Sequence, residues 1–185
     1  KQFSQELRLS FDAMDGRLKG QVGAYYLNED NTRIEDLQQD FPAPAQTGIA
    51  TYPQMVKGRS WAVFGQASFA ITDQLTATAG LRQTWEKKEG HFIGRKVSGP
   101  GLPPPLAANY DVRGSQKWDA LTPRFALDFQ ATPDALVYAS ATRGFKSGGF
   151  QGIAGSGLSQ QTPYDPEYAW SYEGGLKTQW LDRRL

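Results

Sequence analysis

The sequence contains no cysteine. That excludes a disulfide framework and a zinc–thiolate site, while leaving the compartment open. Neither sign of charge prevails: 20 Lys and Arg against 19 Asp and Glu leave a formal charge of +1, so nothing indicates a polyanionic partner such as nucleic acid. The one histidine, His91, has no metal-ligand partners clustered near it in the sequence, and no convincing Ser/His/Asp set can be built around it. No stretch approaches the roughly eighteen apolar residues of a membrane helix. The charge-free stretch 60–72 is too short and includes Gln66 and Ser68. This last absence excludes a spanning helix only, because a barrel strand turns just alternate side chains to lipid and gives a weak hydropathy signal.

What the chain does have is aromatic residues, at 12%, frequent glycine, and period-two alternation in seven runs. In residues 3–11, Phe3, Leu7, Leu9 and Phe11 oppose Ser4, Glu6, Arg8 and Ser10. In 18–27, Leu18, Val22, Ala24 and Tyr26 oppose Lys19, Gln21 and Tyr25. Residues 60–72 place Trp61, Val63, Ala67, Phe69 and Ile71 on one face, and 75–87 do the same with Leu75, Ala77, Ala79, Leu81 and Trp85. In 118–131, Leu121, Phe125, Leu127 and Phe129 oppose Thr122, Arg124, Asp128 and Gln130, with Pro123 an awkward member because it donates no ladder bond. The sixth run, 136–146, is ambiguous: if Arg143 faces the polar side, Leu136 and Tyr138 face the apolar one. The seventh, "WSYEGGLKTQW", sets Trp170, Tyr172, Leu176 and Trp180 against Glu173 and Lys177.

The connections alternate in length. Residues 12–17, 73–74, 132–135 and 181–184 read as tight turns; 28–59, 88–117 and 147–169 read as long loops. In an antiparallel meander this sorts all the long connections to one end, the plan of transmembrane barrels. "NTRIEDLQQDF" has some helical spacing, but a loop is the expectation, and no substantial helix is expected anywhere. A strand tilted by roughly 40° climbs about 2.5 Å per residue, so ten residues cover an apolar band of about 25 Å. Trp170 and Trp180 are ten residues apart, as are Leu75 and Trp85. Trp61, Trp85, Trp170 and Trp180 are therefore expected at the membrane interfaces, where an apolar ring with one N–H is at home. Arg82, Glu86, Arg124, Asp128, Glu173 and Lys177, with Arg143, are expected on the face turned away from lipid.

"SWAVFGQASFAITDQLTATAGLRQTWEKKE", "RGFKSGGF" and "DPE…SYEGGLK" resemble segments of TonB-dependent receptors, the active transporters of the Gram-negative outer membrane. The resemblance covers nearly the whole chain. It implies an all-β fold: an antiparallel up-and-down meander of about seven long strands from a 22-stranded transmembrane barrel. Residues 1–185 are then expected to be part of a receptor's β-barrel domain, lying outside the plug domain and the remaining strands. The implied function is active import of a scarce solute, such as a ferric siderophore, across the outer membrane. The implied partners are outer-membrane lipid, the small-molecule ligand, and the TonB complex, engaged through an amino-terminal region outside this chain. A passive porin-like channel and a soluble carbohydrate-binding β-sandwich are the alternatives. No catalysis, cofactor or metal site is expected. The seven charges named above would line the lumen, as ligand contacts or, more blandly, as partners for one another. Tyr52, Phe92 and Tyr110 are loop aromatics that could meet a ligand. "GFKSGGF" lacks the order of a phosphate-binding loop and is expected to end a strand and open an exposed loop, and His91 to sit in a solvated one.

Overall fold

The computed structural model describes residues 1–39, 48–99, 109–152 and 157–179. Seven long strands make one antiparallel sheet: β1 (Gln2–Ala13), β2 (Leu18–Gln39), β3 (Gly48–Ala70), β4 (Leu75–Ser98), β5 (Tyr110–Thr132), β6 (Ala135–Lys146) and β9 (Glu167–Thr178). Between β6 and β9 lie two short strands paired with each other, β7 (Gly149–Phe150) and β8 (Pro163–Tyr164), and a short helix, α1 (Gly157–Gln161). Consecutive long strands are neighbours throughout, an up-and-down meander, and β1 and β9 do not meet to close the sheet among the described residues.

The tight turns lie at one end. Met14, Asp15 and Gly16 all take positive φ (57°, 53° and 84°), and the Arg17 amide closes the turn on the Met14 carbonyl at 3.1 Å. The Arg17 guanidinium then donates to the carbonyls of Ala70 (3.0 Å) and Ile71 (3.1 Å), tying this turn to the next. There the Thr72 hydroxyl accepts from the amides of Gln74 (3.2 Å) and Leu75 (3.0 Å).

Register carries the alternation across the sheet. Leu7 faces Ala24, Ala24 faces Val63, Ala79 faces Phe125, and Val137 faces Leu176, so the apolar sets of neighbouring strands share one face. That face is bare. Leu9 is 65% exposed, Leu127 51% and Leu176 64%, and no second layer covers them among the described residues. A sheet packing one face on a core would bury such residues, so the sandwich alternative loses its basis. Burial concentrates instead on the polar face far from the tight turns, where Ala50, Tyr52 and Phe92 are almost inaccessible.

Three expectations are corrected. Most of 28–59 and 88–117 is not loop: β2 runs on to Gln39, β3 starts at Gly48, β4 reaches Ser98 and β5 starts at Tyr110. Period-two hydropathy reports a one-sided environment. Where both faces turn polar the signal fades, although the backbone ladder continues. Nor does "GFKSGGF" open an exposed loop, since Gly148 and Gly149 are buried. The third correction concerns β6. Phe125 faces Ala141 and Leu127 faces Ala139, so the odd-numbered residues of β6, Arg143 among them, lie on the apolar face, and Leu136 and Tyr138 on the polar one.

Pro123 now has a physical account. β5 and β6 pair only between Arg124↔Thr142 and the turn, and then part. The carbonyls of Leu121 and Asp119, two residues apart on the freed edge, accept from Arg143 Nη1 (3.5 Å) and the Tyr168 hydroxyl (3.1 Å). By the same two-residue spacing the proline nitrogen points to this unpaired edge, where no ladder bond is lost.

Candidate functional site

The polar face carries three groupings. Nearest the tight turns, Tyr138 donates its hydroxyl to Glu173 Oε1 at 2.7 Å, Lys177 Nζ stands 5.0 Å from the Tyr138 ring centre, and Asp128 is the register partner of Tyr138. Further along, Arg82 and Arg124 line one recess of about 260 Å³ with Glu6 and Arg8. The Arg82 guanidinium lies 5.4 Å from the ring centres of both Tyr25 and Phe64, and its Nε donates to the Thr84 hydroxyl at 3.2 Å. Higher still, Glu86 pairs with Lys88 at 3.4 Å, both largely shielded.

Above Glu86 the wall is covered. The chain leaving β6 folds over the polar face of β3, β4 and β5. Lys88 Nζ donates to the Ser147 hydroxyl (2.9 Å) and the Gly148 carbonyl (2.8 Å). Phe150 packs 5.3 Å from Phe92 and 6.5 Å from Trp118, centre to centre. Gln54 donates its amide to the Gly152 carbonyl. Gln160, fully buried, donates to the Gln151 carbonyl and accepts from the Tyr110 hydroxyl at 3.5 Å. Two glycines permit this approach. A Cβ on Gly148 would stand 2.5 Å from the Trp118 ring, and one on Gly114 would stand 2.6 Å from Phe150. The indole N–H of Trp118 is buried here with no acceptor among the described residues.

Burial raises the phenol pKa of both Tyr52 and Tyr110, and the neighbouring Tyr52 adds to the shift at Tyr110. With folded values above the ordinary 10.0, their contribution to stability is complete below pH 10.0 and is lost as pH climbs through the folded values. In an alkaline titration of phenolate absorbance on the full receptor, Tyr52→Phe and Tyr110→Phe should each remove signal from the high-pH end. Loss from the main step instead would show these phenols to be solvated.

Of the seven charges expected inside, Arg82, Glu86, Arg124, Asp128, Glu173 and Lys177 stand on the polar face, in the three groups just described. Arg143 does not. Its guanidinium stacks 4.1 Å from the Tyr168 ring centre on the apolar face and bridges the seam where β6 leaves β5. Trp61, Trp85 and Trp170 stand on the apolar face, Trp61 and Trp85 stacked at 3.9 Å. Trp180 lies outside the described residues. Tyr52, Phe92 and Tyr110 are strand residues gathered beneath the cover rather than loop residues. His91 lies in β4 on the apolar-face register, its Nε2 2.7 Å from Asp111 Oδ1. Sequence reasoning passed over Phe150, Trp118, Lys88 and Gln160. The glycine pair Gly148–Gly149 was the available signal, since side-chain-free backbone marks a close approach.

A bare apolar face and a partly covered polar face with paired charges define a wall segment of a membrane barrel. Residues 1–185 match the family model of the TonB dependent receptor-like β-barrel, and the chain belongs to that family. A stretch of 75 residues, 40% of this chain and 10% of the relative, is 37% identical to the metal-pseudopaline receptor CntO of Pseudomonas aeruginosa (strain UCBPP-PA14). The ferric yersiniabactin uptake receptor FyuA from Yersinia pestis superposes with a TM-score of 0.76 at 18% identity, over 96% of this chain and 26% of that one. The siderophore receptor PiuA from Acinetobacter baumannii gives 0.67 at 19% identity, over 98% and 29%. The chain thus spans about a quarter of the length of these solved receptors. These two likenesses establish the fold, and the apolar and polar faces are the outer and inner walls of a transmembrane barrel.

Proposed function

We propose that this chain forms part of the barrel domain of an outer-membrane receptor that binds a metal chelate of the ferric-siderophore class and imports it actively. Energy would come through the TonB complex, engaged by a part of the protein outside these residues, as would the plug. The observation that carries this reading is the covered upper inner wall. Lys88, Gln54 and Tyr110 hold residues 147–152 and 157–161 across a bed of aromatic rings. The Arg82–Arg124 recess below the cover suits the anionic oxygens of a chelate. A relative named as a metal-pseudopaline receptor and neighbours named for ferric yersiniabactin and siderophore uptake support the same class.

The test is uptake of radiolabelled ferric chelates by cells carrying the complete gene, its deletion, or the complete gene without TonB. Accumulation should require both the gene and TonB. Transport that persists without TonB would make the protein a passive channel, and failure to take up any ferric chelate would remove the substrate class.

A further inference from the structure

The outer wall carries a charge arrangement that import does not use. Arg59 on β3 lies opposite Lys87 on β4, and Lys87 lies opposite Lys117 on β5, so three cations stand abreast in adjoining ladders. Directly opposed residues hold their Cβ atoms about 4.5–5.5 Å apart, and like charges so placed destabilise a sheet. The strain is only partly relieved. Lys87 pairs with Glu89, whereas Arg59 and Lys117 have no ion-pair partner among the described residues. Lys87, by hydrogen bond and charge, holds the Glu89 carboxyl below its ordinary pKa, with Arg59 and Lys57 adding to the effect. The local field is therefore positive.

The row rims a pocket of about 470 Å³ lined by Tyr26, Trp61 and Trp85 as well as by the three cations. Asp119 also lines it, and its carboxylate already accepts from Gln83 Nε2 at 3.2 Å. The cations are two residues beyond the stacked pair Trp61–Trp85, on the side away from the tight turns. At the rise of a tilted strand that is about 5 Å above the indoles, in the headgroup layer. Outer-membrane barrels turn their short connections to the periplasm, so this layer belongs to the outer leaflet. Directly below, Val63, Leu81 and Leu121 continue the exposed apolar wall.

We propose that Arg59, Lys87 and Lys117 form a docking site on the outer wall for the phosphate-bearing headgroup of an outer-leaflet lipid, whose acyl chains lie along the apolar face beneath. The doubly opposed cations supply the anion's partners, the indole stack supplies the floor, and the continuous apolar wall selects a lipid over a free anion.

The experiment is native mass spectrometry of the complete receptor in detergent, titrated with bisphosphorylated lipid A. Each cation near an anionic lipid contributes about fivefold in affinity, so Arg59→Gln/Lys87→Gln/Lys117→Gln should weaken binding roughly 100-fold. The charge-matched control Arg95→Gln/Lys96→Gln/Arg113→Gln, higher on the strands, should bind like the parent. Heat-modifiable migration on gels reports folding. If the triple variant does not fold, Lys117→Gln alone should still cost about fivefold. Unchanged binding in the variants, equal binding of dephosphorylated lipid A, or displacement by equimolar inorganic phosphate would overturn the proposal.

Discussion

Leu127→Arg should destabilise the complete receptor in lipid by about 1–2 kcal/mol: Leu127 pairs with Ala77, one outward position inside the tight-turn edge of the apolar band, so the cost falls between the mid-bilayer and interface values. Leu127 is 51% exposed on the outer wall, between Ala77 and Ala139 on the flanking strands. Among the described residues no carbonyl seam like the one that receives Arg143 adjoins Leu127. The adjacent residue provides the contrast. Asp128 points to the hydrated inner wall, and Asp128→Asn should change stability by less than about 0.5 kcal/mol. Denaturant unfolding in lipid vesicles measures both. Equal effects at the two neighbouring positions would mean that the two walls do not differ in solvent, and the assignment of lipid to the apolar face would fall.

Gly148→Val should dislodge the inner cover. Its Cβ would stand 2.5 Å from the Trp118 ring and 2.6 Å from the Tyr164 carbonyl oxygen, both inside van der Waals contact. Overpacking of this kind costs about 1–3 kcal/mol. The strain falls on the cover rather than on the sheet, because residues 147–152 and 157–161 are held by side-chain hydrogen bonds from Lys88, Gln54 and Tyr110 instead of a long ladder. Limited proteolysis of the full receptor should then cut within this segment roughly 10- to 100-fold faster, the factor set by that energy, while β-sheet circular dichroism stays unchanged. Unaltered cutting would show that the cover does not depend on the close approach at Gly148.

Much of the wall was legible in the sequence because a membrane strand has two solvents, one per face. Val63, Leu81, Phe125 and Leu127 announce the oil side by their spacing, and Arg82, Glu86, Arg124 and Asp128 announce the water side. Beyond the membrane that contrast ends. Residues 30–39 and 110–117 carry polar groups on both faces, so strands that continue as a ladder read as loop. The candidate site was half legible. Tyr52, Phe92 and Tyr110 stood out as aromatics. That Phe150 and Gln160 close over them depends on where the chain turns after Lys146.

The alternation of the chain by itself determined that it is a meander of two-faced strands, because a strand between two different environments takes period two; that the apolar face is bare rather than packed on a second layer came from the structure. Only the tertiary structure decided the face of Arg143 and the burial of Gly148, Gly149 and Gln160. β6 has no strongly apolar side of its own, and its register shifts between Gln130 and Thr132 of its partner strand. A slip of one residue moves every side chain of a strand to the opposite face. The pairing with β5 and β9, rather than the local sequence, therefore places Arg143 toward lipid.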